Sequence, residues 1–408
     1  MKEVDYMKNK KILKLSLFIA ISIFIIFFLS FSYTKYKIKN AIKIVKLKYE
    51  EVEVYKKITL KNLIKEINGE LISNHYIDTT KLGKQKIKFE YITTENIKVP
   101  YEVEINIVDK TPPIISQLDN VTITLGEDDN ISESLFCGDN YDNNPKCFIE
   151  GNYDVNNIGV YPLTFVGIDS SNNKSTHKFT LSVKEKSKNK NENESNNIKP
   201  ILYEDIIKKY KTNKTKIGID ISHWQGNIDF LQLKKEGVEF AYIRVGRGDG
   251  IGNDYVIDSK FKQNIEGFNK VGIPIGVYFY SYANSKKDAK KEAEWVLKQI
   301  KNYQVDLEIV FDWENWNLYQ DFNLSFYNLT EVSNTFVKVI EKAGYKGMLY
   351  SSKNYLETVW YPVKYPIWLA HYTDKTNYQG KYKLWQLCNN GKIKGIEENL
   401  VDINIMYE

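Results

Sequence analysis

The sequence predicts a multidomain chain: an N-terminal transmembrane helix, small all-β modules in the middle, and a C-terminal α/β barrel of trimmed, TIM-like type with about eight strands and five helices. Three observations predict it. Residues Leu15 to Thr34 carry no charge, two middle stretches repeat at a constant offset of 76 residues, and the last half of the chain alternates strand-like with helix-like runs. A chain of 408 residues with 42% hydrophobic and 14% aromatic content has room for several packed cores, which excludes a disordered protein.

The N-terminal run contains Leu17-Phe18-Ile19-Ala20-Ile21 and Phe24-Ile25-Ile26-Phe27-Phe28-Leu29. It matches the roughly 20 apolar residues that cross a bilayer. Its length, and an end in Phe31 and Tyr33 instead of an A-x-A site, favour an uncleaved anchor in residues 1–48 over a signal peptide. Residues 1–48 hold eleven Lys against Glu3 and Asp5, a surplus of +9; the whole chain's +5 therefore leaves −4 for the rest. The basic charge flanks the membrane span, which argues against nucleic acid as a partner. The expected arrangement is a single-pass membrane protein contacting lipid through residues 15–34 with its bulk outside the cell. Cleavage of the N-terminal segment would instead make it secreted.

In the repeat, Asp78, Leu82, Gly83, Phe89, Ile92, Val103, Ile105 and Ile107 match Asp154, Ile158, Gly159, Phe165, Ile168, Phe179, Leu181 and Val183. Both copies show alternating strands around a turn, as in Lys86-Ile87-Lys88-Phe89-Glu90-Tyr91, so a duplicated β-module is expected over residues 49–109 and 110–185. The second copy carries Asp109-Lys110-Thr111-Pro112-Pro113, Ile158-Gly159-Val160-Tyr161 and Asp169-Ser170-Ser171-Asn172-Asn173. It resembles the bacterial immunoglobulin-like modules of surface proteins, and the first copy resembles them less. The resemblance implies a spacer or a binder of envelope proteins. Cys137 and Cys147 either close a small loop in an oxidising exterior or remain two buried thiols. The polar run Asp139 to Asn144 reads as a turn, with calcium binding the less favoured alternative.

Residues 186–213 are expected as a linker, opening on a Lys, Asn, Glu and Ser tract that cannot bury a core. All seven Trp lie between Trp224 and Trp385, which marks a different domain over 214–408. Its strand-like runs are Ile217 to Ile221, Phe240 to Val245, Ile273 to Tyr280, Leu307 to Asp312, Gly347 to Ser351, Ile367 to His371, Tyr382 to Leu387 and Leu400 to Ile405. Helical patterns fill the gaps at Phe230 to Glu236, Ser259 to Lys270, Lys286 to Lys301, Leu329 to Ala343 and near Tyr355. The gaps Tyr372 to Lys381 and Cys388 to Asn399 are too short for crossover helices.

Barrels of this kind carry their reactive side chains at the C-terminal ends of strands. Asp220 in Gly218-Ile219-Asp220-Ile221-Ser222 and the pair in Phe311-Asp312-Trp313-Glu314 occupy such ends; Asp402 falls in mid-strand. A strand period of two sends Asp312 and Glu314 to the same face, roughly 6 to 7 Å apart. Two crowded acids resist joint ionisation, so one keeps a proton near neutral pH while the other stays charged. That pairs a general acid with an anionic stabiliser, the requirement for glycosidic cleavage.

Residues 216–408 resemble glycoside hydrolase family 25, the lysozymes that cut peptidoglycan. The stretches that carry the resemblance are Gly218-Ile219-Asp220-Ile221-Ser222-His223-Trp224-Gln225-Gly226, Pro274-Ile275-Gly276-Val277-Tyr278-Phe279-Tyr280, Asp312-Trp313-Glu314, Pro366-Ile367-Trp368-Leu369-Ala370-His371-Tyr372, Trp385-Gln386 and Val401-Asp402-Ile403-Asn404. The resemblance implies cleavage of the β-1,4 bond between N-acetylmuramic acid and N-acetylglucosamine. By that likeness Glu314 is the proton donor, Asp312 supports the transition state, and Asp220 and Asp402 complete the pocket. Tyr278, Tyr280, Trp368, Tyr372 and Trp385 are candidates to stack on sugar faces, with core packing the alternative for each.

Other chemistries fit less well. His75, His177, His223 and His371 are scattered and no H-E-x-x-H occurs, so neither a metal nor another cofactor is expected. Ser222 and His223 are strand neighbours facing opposite ways, and no G-x-S-x-G occurs. Cys388 reads as a buried small residue. The remaining alternative is a non-catalytic wall-binding or adhesin-like surface protein.

Overall fold

A computed structural model describes residues 2–126, 131, 135–185, 199–252 and 254–408, so most of the expected linker, 186–198, lies outside the described residues. The chain divides into two compact units, Met1–Lys110 and Thr111–Glu408. In the first, the helix Lys2–Asn40 contains a stretch, Leu13–Asn40, long and apolar enough to cross a membrane and not buried against protein. It is followed by a four-stranded sheet in the order Glu51–Glu53, Lys98–Val108, Gly83–Thr93, Gly69–Leu71. Alternate residues Phe89, Tyr91, Val103, Ile105 and Ile107 fill its buried face.

The second unit opens with a sheet of the same topology, in the order Asn120–Thr124, Lys174–Lys184, Gly159–Ile168, Lys146–Glu150. In both sheets an antiparallel hairpin is flanked by one parallel and one antiparallel edge strand. The hairpin registers agree as well, since Gly83 faces Ile107 and Gly159 faces Val183. Both pairs obey the sequence offset, so the duplication is structural and not merely compositional. Cys137 and Cys147 form a disulfide, which resolves the alternative left by the sequence.

The rest of the second unit is a closed barrel. Its strands are β1 (Thr215–Ile221), β2 (Ala241–Gly248), β3 (Ile275–Tyr280), β4 (Ile309–Asp312), β5 (Gly347–Ser352), β6 (Ile367–Ala370), β7 (Leu384–Ile393) and β8 (Ile396–Tyr407). Strands β1 to β7 run parallel, and β8 closes the ring antiparallel to both β7 and β1. Among the described residues, five helices follow barrel strands on the outside: α1 (Phe230–Lys235), α2 (Phe261–Val271), α3 (Lys286–Ile300), α4 (Phe326–Lys342) and α5 (Lys353–Thr358). The strand period sorts side chains into two layers. Ile217, Ile219, Ile221, Ile309 and Phe311 point outward to the helices, whereas Phe240, Tyr242, Val310, Met348 and Trp368 fill the interior. Gly218 is required by close approach, because a Cβ there would lie 2.4 Å from the Phe240 carbonyl oxygen. Below the interior layer, buried Glu308 accepts from Tyr242 Oη at 2.9 Å and pairs with Lys383 at 2.5 Å, so that end is occupied by its own ion pair.

The gap Cys388 to Asn399, too short for a crossover helix, forms the arms of a long β7–β8 hairpin turning between Ile393 and Ile396, which reverses the last strand. One expectation changes. The linker ends earlier than residue 213. Ile201–Leu202 adds to β7, and the helix Tyr203–Tyr210 lies on the barrel, with Tyr203 Oη donating to the Ile217 carbonyl at 3.0 Å. The spacing of Tyr203, Ile206, Ile207 and Tyr210 is an apolar helical stripe, a signal overridden by the polar tract before it.

Candidate active site

The four sequence-predicted acids meet at one end of the barrel interior. On β4 the alternation that sends Phe311 outward brings Asp312 inward, where it is 4% exposed. Glu314 follows two residues past the strand end, with Trp313 between them buried in the outer core. Its side chain opens into the cleft while protein atoms crowd around it, so its carboxylate is both reachable and poorly solvated. Asp220 lies at the upper part of β1 and faces Asp402 directly across the β1–β8 register. The antiparallel return of β8 is what makes a mid-strand acid a site residue. A parallel last strand would have required it at the strand's end.

An amide network holds this second pair. Asp220 Oδ2 accepts from Asn404 Nδ2 at 2.7 Å and from Gln386 Nε2 at 2.9 Å, and Gln386 Nε2 also reaches Asp402 Oδ2 at 3.2 Å. Gln386 Oε1 accepts from Tyr350 Oη at 2.9 Å and Tyr372 Oη at 3.0 Å, and Trp368 Nε1 donates to Asn404 Oδ1 at 2.8 Å. Each amide is thereby fixed in orientation, because its oxygen is committed to donors and its nitrogen to carboxylates.

Crowding raises the proton affinity of all four acids. Burial pushes Asp312 well above the usual carboxylate range, the negative charges of Glu314 and Asp220 add to it, and Arg244 opposes it. Glu314 is raised by burial and then by Asp220, against a hydrogen bond to Asp312. Burial and Asp220 push Asp402 up to about 9, while Asp220 is raised by burial against its amide donors. The arrangement is two carboxylate pairs, each able to share a proton at neutral pH, in one cleft. Such a site can donate a proton to a leaving oxygen and set negative charge against a developing cation.

Residues 219–396 match the family model described as glycosyl hydrolases family 25. The barrel is a hydrolase domain of family 25. The autolytic lysozyme of Clostridium acetobutylicum is 30% identical over 182 residues, 44% of this chain and 52% of that protein. Lysozyme M1 of Streptomyces globisporus is 35% identical over 68 residues, 17% of this chain and 21% of its own. The chain thus spans about half the length of the Clostridium relative. Among solved structures, a family 25 glycosyl hydrolase from Bacillus anthracis is similar at 23% identity and a TM-score of 0.42, covering 49% of this chain and 92% of that one.

The five aromatic candidates separate in the family 25 barrel. Tyr278 and Tyr280 face the acids: Asp220 and Asp312 raise the Tyr278 phenol after burial does, and Asp312 and Glu314 do the same for Tyr280. Tyr372 is 52% exposed and stands beside Asp402 and Asp220. Trp368 is 2% exposed inside the barrel, packed between Tyr242 and Tyr350, so it holds Asn404 and cannot present a face to sugar. Trp385 points the other way, into the outer core, 3% exposed, with Nε1 on the His371 carbonyl and its ring against Tyr210. Its strand neighbour Gln386 faces inward instead. Sequence reasoning missed Gln386 and Asn404 as partners of the acids and Tyr350 as a partner of Gln386, although alternation from Asp402 points to Asn404. A surface cavity of about 960 Å³ beside Phe230 and Gly395 contains none of the four acids.

Proposed function

We propose that the barrel is a cell-wall lysozyme hydrolysing the β-1,4 bond between N-acetylmuramic acid and N-acetylglucosamine in peptidoglycan. The observation that carries this reading is the Asp312–Glu314 pair, one member buried and the other open to the cleft, beside Asp220 and Asp402. Glu314 is the group that can reach a leaving-group oxygen, so it is the proton donor. Burial favours the shared proton on Asp312 at rest; once it passes to Glu314, Asp312 is the anion beside the oxocarbenium-like centre, acting directly or by orienting the substrate's acetamido group. Tyr278, Tyr280 and Tyr372 line the cleft as sugar contacts.

The apolar helix supports an anchor in the cell membrane with the catalytic unit on the outer face, where peptidoglycan lies. The disulfide supports an oxidising exterior. The two β-modules are read as immunoglobulin-like spacers able to meet envelope proteins. The catalytic reading is tested with purified Thr111–Glu408 on a peptidoglycan suspension. Turbidity should fall with the unmodified protein and stay constant with Glu314→Gln. Binding without any loss of turbidity would favour a non-catalytic wall-binding protein instead.

A further inference from the structure

Phe136 belongs to the second β-module by sequence but to the barrel by packing. It is 8% exposed and lies in the barrel's outer core, not in the core of its own module. Its ring sits 5.3 Å from Tyr319, 5.6 Å from Tyr355 and 6.1 Å from both Trp316 and Phe326. Trp316 is stacked on Tyr355 at 3.7 Å, packs against Trp313 at 4.8 Å, and donates its backbone N–H to the carbonyl of Glu314 at 2.8 Å. One aromatic chain therefore runs from the module to the residues on both sides of the proposed proton donor.

The polar contacts of the same loop end on the same segment. Phe326 N–H donates to the Asp139 carbonyl at 2.8 Å, and Ser325 N–H and Asn328 Nδ2 donate to Asn143 Oδ1 at 2.8 and 2.9 Å. The two backbone bonds satisfy N–H groups at the start of α4 that the helix itself leaves without acceptors. Gln320 Nε2 donates to the Pro145 carbonyl at 3.1 Å. Gly138 is packed so closely that a Cβ would lie 2.6 Å from Phe326 and 2.7 Å from Tyr319. Apart from Phe136, which adjoins it, every module residue named here lies inside the loop closed by Cys137 and Cys147.

We propose that this disulfide-closed loop is a clamp that sets the position of Glu314, making Phe136 and Asn143 positioning residues for the catalytic pair and the second module part of the catalytic unit. The inference rests on the lysozyme reading for its consequence in turnover, but not for its geometry. Glu314 sits on a segment with no strand hydrogen bonds of its own between Asp312 and the 3-10 turn Trp316–Phe322. Its placement is set by the Asn315 Nδ2 bond to the Ser281 carbonyl at 3.0 Å and by what that turn packs against, and the clamp supplies one side of that packing.

The test compares unmodified Thr111–Glu408 with Phe136→Ala, Phe136→Leu and Asn143→Ala. Two readouts are taken: kcat and KM on peptidoglycan, and the titration of the Asp312–Glu314 pair followed by carboxyl carbon NMR. The clamp predicts about a tenfold fall in kcat for Phe136→Ala with KM changed less than about twofold, most of it restored by Phe136→Leu. It also predicts a displaced titration of the pair. Asn143→Ala, an exposed change that leaves the core intact, should lower kcat about threefold in the same pattern. An unaltered titration and kcat in folded Phe136→Ala or in Asn143→Ala overturns the clamp. An unmodified protein that leaves peptidoglycan intact overturns the lysozyme reading, and the NMR titration then still decides the clamp.

Discussion

At the scale of the residue, two acids that look alike in sequence are separated by burial. Asp312 is enclosed and Glu314 opens to the cleft, so Glu314→Gln should reduce kcat by about a thousandfold or more with a small change in KM, measured on peptidoglycan. Asp220 raises the proton affinity of Glu314. Removing that charge in Asp220→Asn makes Glu314 ionise more easily, so the alkaline limb of the pH–rate profile should move to lower pH. An unmoved limb in a folded variant would contradict the coupling. A separate buried acid, Glu292, accepts hydrogen bonds from Ser281 Oγ and Tyr282 N–H and is pushed up to about 8 by burial. In the unfolded chain it ionises near 4.3. Stability from this group is therefore fully present below about pH 4 and is lost as pH rises through about 8. Glu292→Gln should flatten that loss, so that thermal unfolding at pH 8 shifts upward relative to pH 5 when compared with the unmodified unit. A parallel pH dependence in both proteins would count against it.

At the scale of the element, the reversal of β8 and the disulfide loop matter most. The Cys137–Cys147 bond closes a short loop, a constraint worth about 2.5 kcal/mol in the chain-entropy account. Cys137→Ser with Cys147→Ser should lower the melting temperature of Thr111–Glu408 by several degrees, read by differential scanning calorimetry. It should also lower turnover before unfolding begins, because the loop caps α4. The elements themselves were largely legible: period-two runs located the barrel strands and the helical stripes located α1 to α5. The direction of β8 was not, because Cys388 to Asn399 carries mixed polar residues without a strand period that would show the pairing of β7 with β8. Asp402 could thus be recognised as a candidate while the reason for its mid-strand position stayed hidden. Trp385 and Trp368 misled for a related reason. Strand alternation separates inward from outward faces, but the aromatic content of a barrel does not say which aromatic reaches solvent. Gln386 and Asn404 were overlooked because amides that hold acids have no sequence signature apart from the acids' own alternation.

At the scale of the whole molecule, the proposed anchor is the N-terminal apolar helix, and the proposed wall chemistry belongs to the barrel matched by family 25. Deleting residues 1–48 should move the protein from the membrane fraction to the soluble fraction without changing kcat of Thr111–Glu408 chemistry. Retention in the membrane fraction would contradict the anchor. The docking loop also bears on where a catalytic fragment should start: one beginning near residue 199 leaves the socket for Phe136 empty, whereas one beginning at Thr111 keeps it filled. In the proposed mechanism Glu314 delivers a proton to the oxygen between two amino sugars of the wall. Mass analysis of the fragments released from peptidoglycan by Thr111–Glu408 tests it most directly. The unmodified unit should release fragments with N-acetylmuramic acid at the reducing end, and Glu314→Gln should release none. Fragments ending in N-acetylglucosamine, or equal release by the variant, would contradict it.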